Sequence, residues 1–334
     1  MKDVYILGIE SSCDETSCSI VKNGCEEINT VILSQIDIHT LYGGVVPEIA
    51  SRNHVKDITF VINKCLTESG FTMDDIDAVA VTYGPGLIGS LLVGIEAAKT
   101  LAYTNNKPLI AVHHIAGHIY ANNIEKRMEF PLIALVISGG HTKIIYMEDH
   151  FKFKELGGTL DDAVGECFDK VARVIGVGYP GGPVIDKLSK EGKCSYNLPI
   201  PLNDDSFNFS FSGLKSAVIN LVHNENQRGR EINKVDLCAS FSFVVANTLV
   251  TKTIHAMKEY KVKNLILAGG VAANSKIREE FSKECEKLGY NFSYPSIKYC
   301  TDNATMIATA GYFMYKNGEF STLELNGKSS EELK

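Results

Sequence analysis

The sequence predicts an α/β protein made by duplicating one unit, a β-meander followed by parallel strand–helix crossovers, folded as two lobes with a cleft between them. Short apolar runs bounded by Ser, Asp, Asn and Gly alternate with longer stretches of helical periodicity. The order of these runs up to about residue 125 is repeated after about residue 130. Matching turns also recur at matching strand ends: Glu10-Ser11-Ser12 answers Ser138-Gly139-Gly140, and Gly84 answers Gly269.

The first half opens with three expected strands, 4–10, 17–21 and 28–34, whose polar connections suit an antiparallel meander. A helix is expected over 48–69, where Ile49, Val55, Ile58, Val61, Ile62, Cys65 and Leu66 recur near helical spacing and Gly70 stops it. An apolar strand over 78–83 ends in Gly84-Pro85-Gly86, followed by a helix over 90–104 and the strand Leu109–His113. The second half places strands at Leu132–Ile137, 143–147 and 152–156. A long helical region, 160–260, precedes the strand Asn264–Ala268, the helix Ser275–Leu288 and a last helix over 302–316. The polar tail 321–334 is expected to fray. The expected lobes are 1–125, joined by the last helix at about 302–318, and 126–300 with its helical insert. Meander plus crossovers, used twice, is the plan of an actin-like (ASKHA, ribonuclease H-like) nucleotide clamp.

Composition excludes several classes. With 334 residues, 45% of them hydrophobic, the chain can fill two cores and is far too apolar to be disordered. The apolar run near the start, 4–9, is too short for a secretory core, and no later stretch reads as a bilayer span, so a cytoplasmic protein with no membrane association is expected. Nine cysteines form no C-x-x-C pair, which favours free thiols over a structural zinc site or a disulfide framework. A formal charge of −7 argues against a stand-alone nucleic-acid binder.

Chemistry concentrates at the strand ends. Glycine turns at 84–86, 138–140, 269–270 and 181–182 let backbone approach a ligand and offer N–H groups to anionic oxygens, so together they point to a nucleotide or phosphate pocket. His114 and His118, at i and i+4, share a helix face if that segment is helical, a geometry that suits two imidazoles on one metal or two histidines on a polar face. Asp302, placed at the start of the last helix, is the expected third ligand. The run His114-Ile115-Ala116-Gly117-His118 lacks the Glu of a zinc protease. Asp14 and Glu15 are adjacent carboxylates at a strand end, either solvated or fit to take a proton from an attacking amine. Cys13 beside them reads as a small packed residue. Asp169, Asp186 and Asn274 fit hydrogen bonding to a ribose or base, or helix surface and N-cap roles.

These motifs fall in an order that resembles one family. Gly8-Ile9-Glu10-Ser11-Ser12-Cys13-Asp14-Glu15-Thr16, Pro47-Glu48-Ile49-Ala50-Ser51-Arg52-Asn53-His54, Gly84-Pro85-Gly86-Leu87 and His113-His114-Ile115-Ala116-Gly117-His118 are similar to the bacterial TsaD family. So are Ser138-Gly139-Gly140-His141-Thr142, Tyr179-Pro180-Gly181-Gly182-Pro183, Phe211-Ser212-Gly213-Leu214-Lys215, Gly269-Gly270-Val271-Ala272-Ala273-Asn274 and Cys300-Thr301-Asp302-Asn303. The resemblance implies an actin-like fold and an acyltransferase that moves the threonylcarbamoyl group from threonylcarbamoyl-AMP to the N6 amine of the adenosine 3′ of the anticodon, in tRNAs reading ANN codons, with AMP leaving. It implies a divalent metal, iron first and zinc second, on His114, His118 and Asp302. Val136, Ile137, Ser138, Gly139, Gly140, Asp169, Gly182, Asp186 and Asn274 would hold the adenylate, with Asp14 and Glu15 handling the proton. It also implies two protein partners, the inactive paralogue TsaB and the small ATPase TsaE, which would supply RNA-facing surface that this acidic chain lacks. Its own densest basic residues are Lys215, Arg228, Arg230 and Lys234. An actin-fold ATPase or kinase, a metalloprotease and a non-catalytic nucleotide-binding scaffold are the alternatives.

Overall fold

A computed structural model of the chain describes residues 2–333. In chain order it begins with strands β1 (Tyr5–Glu10), β2 (Glu15–Lys22) and β3 (Glu26–Ser34), then helices α1 (Ile36–Thr40) and α2 (Pro47–Ser69). Strand β4 (Ala78–Gly84), helix α3 (Ile88–Thr104), strand β5 (Leu109–His113) and helix α4 (His114–Tyr120) follow. Next come β6 (Leu132–Ile137), β7 (Thr142–Met147) and β8 (Phe153–Gly158), then α5 (Val164–Ile175), α6 (Gly181–Ser189), α7 (Ser212–Gln227) and α8 (Lys234–Glu259). The chain closes with β9 (Asn264–Ala268), α9 (Ser275–Leu288), β10 (Asn291–Ser293), α10 (Ile297–Cys300) and α11 (Ala304–Asn317).

Two compact units result, one from Met1–Met128 with Pro295–Lys334 and one from Glu129–Tyr294. Each holds a five-stranded sheet, ordered β3-β2-β1-β4-β5 in the first and β10-β9-β6-β7-β8 in the second. Read from β8, the second order repeats the first strand for strand. In both, the central strand pairs antiparallel with the next strand of the meander and parallel with the crossover strand. The duplication expected from the recurring turns is therefore present as topology.

In the first unit β1 and β4 are buried along nearly their whole length, as their continuous apolar runs require of strands covered on both faces. Leu7, Ile9, Val79 and Val81 pack with Ile58, Val61 and Ile62 of α2 and Leu91 and Ile95 of α3 in one core. Small residues let α11 lie close on the sheet: a Cβ on Gly8 would strike the Ala304 carbonyl oxygen, and one on Gly311 would come within 2.6 Å of Ala80 Cβ. Gly70 ends α2 in the left-handed conformation, φ 72°, as expected of that glycine.

In the second unit β6 is wholly buried. Helix α8 is the one described helix long and apolar enough to cross a membrane, and 83% of its apolar window is buried inside the protein, the pattern of a core helix.

Several expectations are corrected. The region 160–260 is not continuously helical: residues 190–211 are irregular, held by Lys252, whose buried ammonium donates to the Asp204 carboxylate at 2.7 Å and the Ser206 carbonyl at 2.8 Å. Helix α1 and the three-residue β10 carry no periodic signal and were not expected. The last helix starts at Ala304, so Asp302 lies in the loop before it. The tail does not fray within the described residues. Ser321 N–H donates to the Leu109 carbonyl at 2.8 Å, Lys328 N–H to the Tyr83 carbonyl at 2.8 Å, and Leu325 packs against the core. Its side chains are polar, but its backbone pairs with unit-one strand ends, a use that hydropathy does not report.

Gly8 and Gly117 separate hard from soft crowding. Gly8→Ala meets backbone and should lower unfolding free energy by about 1–3 kcal/mol or more. Gly117→Ala meets the flexible end of Ile307 at 2.7 Å and gains helix propensity, so denaturant titration should find a change under about 1 kcal/mol.

Candidate metal centre and glycine turns

Helix α4 begins where β5 ends, with His113 as N-cap; its Nδ1 accepts the Ile115 N–H at 3.1 Å. The helix is buried throughout, which puts His114 and His118 inside the first unit on one face, their rings 4.6 Å apart at 78°. The loop before α11 brings Asp302 to them. This loop is fixed by Asn303, which caps α11 by accepting Met306 N–H at 2.9 Å and donates to the Thr301 carbonyl at 2.7 Å. Asp302 Oδ1 stands 3.1 Å from His118 Nε2 and 3.6 Å from His114 Nε2.

The donor set fits a metal. All three ligand atoms lie within 4.8 Å of one another, and among the described residues no other group of three His, Cys, Asp or Glu side chains is gathered this way. Ligand atoms about 2.1 Å from one ion stand about 3.0–3.4 Å apart, close to the spacings to Asp302. His118 is 1% exposed, and its buried Nε2 faces Asp302 without making a hydrogen bond, an arrangement that is costly unless a cation occupies the site. Two imidazoles and one carboxylate suit a divalent transition metal with coordination positions left open.

Behind the triad lies a buried carboxylate that sequence reasoning assigned no role. Glu10 Oε1 accepts Ser12 N–H at 2.6 Å, and Oε2 accepts Thr82 Oγ–H at 2.6 Å and faces His114 Nδ1 at 3.4 Å. Ser12 Oγ also reaches His114 Nδ1, at 3.1 Å. Nδ1 is thus anchored from behind and Nε2 points toward Asp302. Burial works against charge on His114, yet the Asp302 and Glu10 carboxylates lift its pKa to about 9, a field that equally favours a bound cation. Burial would raise the Glu10 carboxyl, but the His114 imidazole holds it below its ordinary value. A Glu at the end of the apolar run Ile6–Ile9 was the available signal.

Glu15 opens β2 and accepts Ser34 Oγ–H at 3.0 Å; burial, then the Asp302 and Asp14 charges, push its carboxyl up to about 10. Asp14 receives the Gln35 N–H on its carbonyl at 3.0 Å. Burial and the Asp14 carboxylate raise the Cys13 thiol, so it is no thiolate nucleophile.

In the second unit the expected adenylate residues surround the starts of three helices. Val136 and Ile137 are buried at the end of β6, and Ser138 turns the chain by donating its N–H to the His141 carbonyl at 2.8 Å. Asp169 of α5 accepts Gly181 N–H at 2.7 Å, pinning the start of α6. Burial raises this carboxyl, opposed by the Gly181 and Gly182 N–H groups. Asp186 of α6 accepts both N–H and Oγ–H of Ser275, at 2.9 and 2.7 Å, pinning the start of α9. Asn274 caps α9 by accepting Ile277 N–H at 3.0 Å.

The glycines divide by what surrounds them. A Cβ on Gly181 would press on Ala172 at 2.6 Å and one on Gly269 on the Ile137 carbonyl at 2.5 Å, so these serve close packing. Gly139, Gly140, Gly182 and Gly270 have nothing within 4 Å of that position, which leaves their backbone open to a ligand. The turn at 84–86 departs from expectation: Gly84 faces the Lys328 carbonyl and Gly86 the Ser12 carbonyl at 2.7 Å, so both accommodate the chain itself. Of the basic residues, Lys215 pairs with Asp162 at 2.5 Å and Arg228 and Arg230 flank Glu225, while Lys234 reaches the Gly176 carbonyl at 3.5 Å.

Capping and any ligand role of Asn274 are separable. Asn274→Ala should cost about 1 kcal/mol in a thermal or denaturant measurement, while Asn274→Ser, also a capping residue, should stay within a few tenths. A shared loss of nucleotide binding with unequal stability would mark a direct contact.

Comparison with known proteins agrees with this geometry. The family model described as TsaD, tRNA N6-adenosine threonylcarbamoyltransferase, matches residues 26–309. A tRNA N6-adenosine threonylcarbamoyltransferase of Staphylococcus aureus (strain JH9) is 54% identical over 333 residues, 99% of this chain and 98% of that protein. Among solved structures, T. kodakarensis HypF aligns over 97% of this chain and 49% of its own, with TM-score 0.65 at 14% identity. Component A of (R)-2-hydroxyglutaryl-CoA dehydratase from Acidaminococcus fermentans aligns over 94% and 98%, with TM-score 0.55 at 16% identity. At such identities the solved structures speak for the fold alone, and that fold is actin-like. More than half of the residues kept in register along nearly the whole length is a different order of likeness, and by it the chain belongs to the TsaD family.

Proposed function

We propose that this protein transfers a threonylcarbamoyl group from threonylcarbamoyl-AMP to the N6 amine of the adenosine 3′ of the anticodon in tRNA. The observation that carries this reading is the 54% identity, across 99% of the chain, to an enzyme named for that transfer. The His114–His118–Asp302 group supports it.

The donor is a mixed anhydride and already activated, so the protein has to position it and stabilise developing charge more than supply a nucleophile. The N6 nitrogen bonds to the carbamoyl carbon, the bond from that carbon to the phosphate oxygen breaks, and AMP departs with the electron pair. Asp14 takes the amine proton, or Glu15 does once a bound cation has lowered its raised carboxyl. The bare backbone at Gly139, Gly140 and Gly182, with the helix starts pinned by Asp169 and Asp186, holds the adenylate. Asn274 and the strand end Val136-Ile137-Ser138 complete that surface. When bound, a divalent ion, iron first and zinc second, supplies Lewis-acid stabilisation to phosphate or carbonyl oxygens. Ser12 and Glu10 keep His114 turned toward that ion.

Glu10, the carboxylate behind the histidine pair, commits its oxygens to Ser12, Thr82 and His114. It is therefore no general base for water, which weighs against a metalloprotease. A net charge of −7 favours RNA binding shared with partner proteins, TsaB and TsaE in this family, in the cytoplasm.

Incubation with threonylcarbamoyl-AMP and unmodified tRNA, with those partners present, should yield modified adenosine by mass spectrometry of digested tRNA. ATP loss without modified tRNA would instead support a kinase or ATPase, and peptide cleavage a protease. The double variant His114→Ala/His118→Ala should lose its bound metal and at least about 100-fold of the transfer rate. Unchanged metal content and rate would refute the site.

A further inference from the structure

The segment after α11 returns to the end of the sheet that carries the metal helix. Lys328 N–H donates to the Tyr83 carbonyl at 2.8 Å, and Gly86 N–H donates to the Ser329 carbonyl at 3.3 Å. Gly84 has no room for a side chain because the Lys328 carbonyl lies against it. Lys328 Nζ sits 5.8 Å over the Tyr83 ring and 3.0 Å from Glu331. Leu325 packs on the core and Leu333 is largely covered.

This segment also meets the cap of the metal helix. The Glu331 carbonyl faces His113 Nε2 at 3.2 Å. A carbonyl only accepts, so Nε2 carries the proton, and in the neutral ring Nδ1 is then the acceptor. That is the form His113 needs to cap α4 through Ile115 N–H at 3.1 Å. The ring is 8% exposed and meets Tyr83 edge to face at 6.2 Å. Both requirements are met by one tautomer and one ring orientation, and the next residue is His114.

We infer that residues 328–331 form a strap that sets the tautomer and orientation of His113 and, through its cap, holds α4 so that His114 and His118 converge. His113 is a positioning residue, and the strap acts only through it. This rests on the triad being a metal site, so the test has two arms.

Full-length protein, Lys328→Pro, His113→Asn and the double variant are compared. Proline removes the N–H that ties the strap to Tyr83. Asparagine keeps a capping oxygen for Ile115 but has no donor reaching Glu331. In metal-free protein, hydrogen exchange at the Ile115 amide should quicken about fivefold to tenfold in Lys328→Pro, with β1 amides unchanged. Co(II) affinity by chelator competition should fall by a similar factor. In the His113→Asn background, Lys328→Pro should change neither quantity. The inference is overturned if Lys328→Pro leaves Ile115 exchange at its original rate, or if it has the same effect in both backgrounds. If the unaltered chain takes up no Co(II), the metal reading fails while the exchange arm still decides the strap.

Discussion

A carboxylate with no access to water governs the first unit. Glu10 is 0% exposed, and its charge is tolerable only because the Ser12 amide, the Thr82 hydroxyl and the His114 imidazole all meet it. Those groups come from the turn after β1, from β4 and from α4, so three segments must arrive in one register. The β4–β5 ladder shows the accommodation: its pairing shifts between Thr82 and Gly84, the place where Thr82 supplies its hydroxyl. Removing any one partner leaves a buried charge short of a hydrogen bond, which typically costs several kcal/mol. His114 of the candidate metal centre inherits its orientation from this arrangement.

The second unit relies on a different device. Two of its helix starts are pinned by side chains of earlier helices, that of α6 by Asp169 to Gly181 and that of α9 by Asp186 to Ser275, with Asn274 capping α9. Carboxylates are thereby placed against the positive ends of helices, where the dipole favours negative charge. In two turns the first glycine is consumed by packing and the second is left bare, so rigidity and ligand access are assigned to adjacent residues. A dinucleotide-binding glycine loop divides its labour in a similar way.

Much of this was legible in the sequence because it follows from periodicity and from turns. The repeated strand order, the close of α2 at Gly70 and the i, i+4 histidines need only local rules. The contribution of Asp302 was legible only through the duplicated fold and the family resemblance, since nothing local joins a loop residue to a helix so distant in sequence. Glu10 was visible as a charge ending an apolar run, but its partners at Thr82 and His114 are long-range and leave no spacing to count. The tail misled because its side chains are polar and its attachment is backbone. The irregular stretch 190–211 looked helical only in aggregate; its anchors are long-range, the buried Lys252 together with Asp236 and Ser240 on α8.

The first unit is discontinuous in sequence, with Glu129–Tyr294 lying between its two parts. His114 and His118 therefore leave the ribosome long before Asp302 does. During synthesis the histidine pair is an incomplete donor set, and α11, whose Met306 and Ile307 lie against Gly117 of α4, is not there to cover it while a whole second sheet is being made. The three-residue group can therefore assemble only after the segment Glu129–Tyr294 has been made, and a nascent chain released before residue 302 carries the two imidazoles without the carboxylate that completes the group.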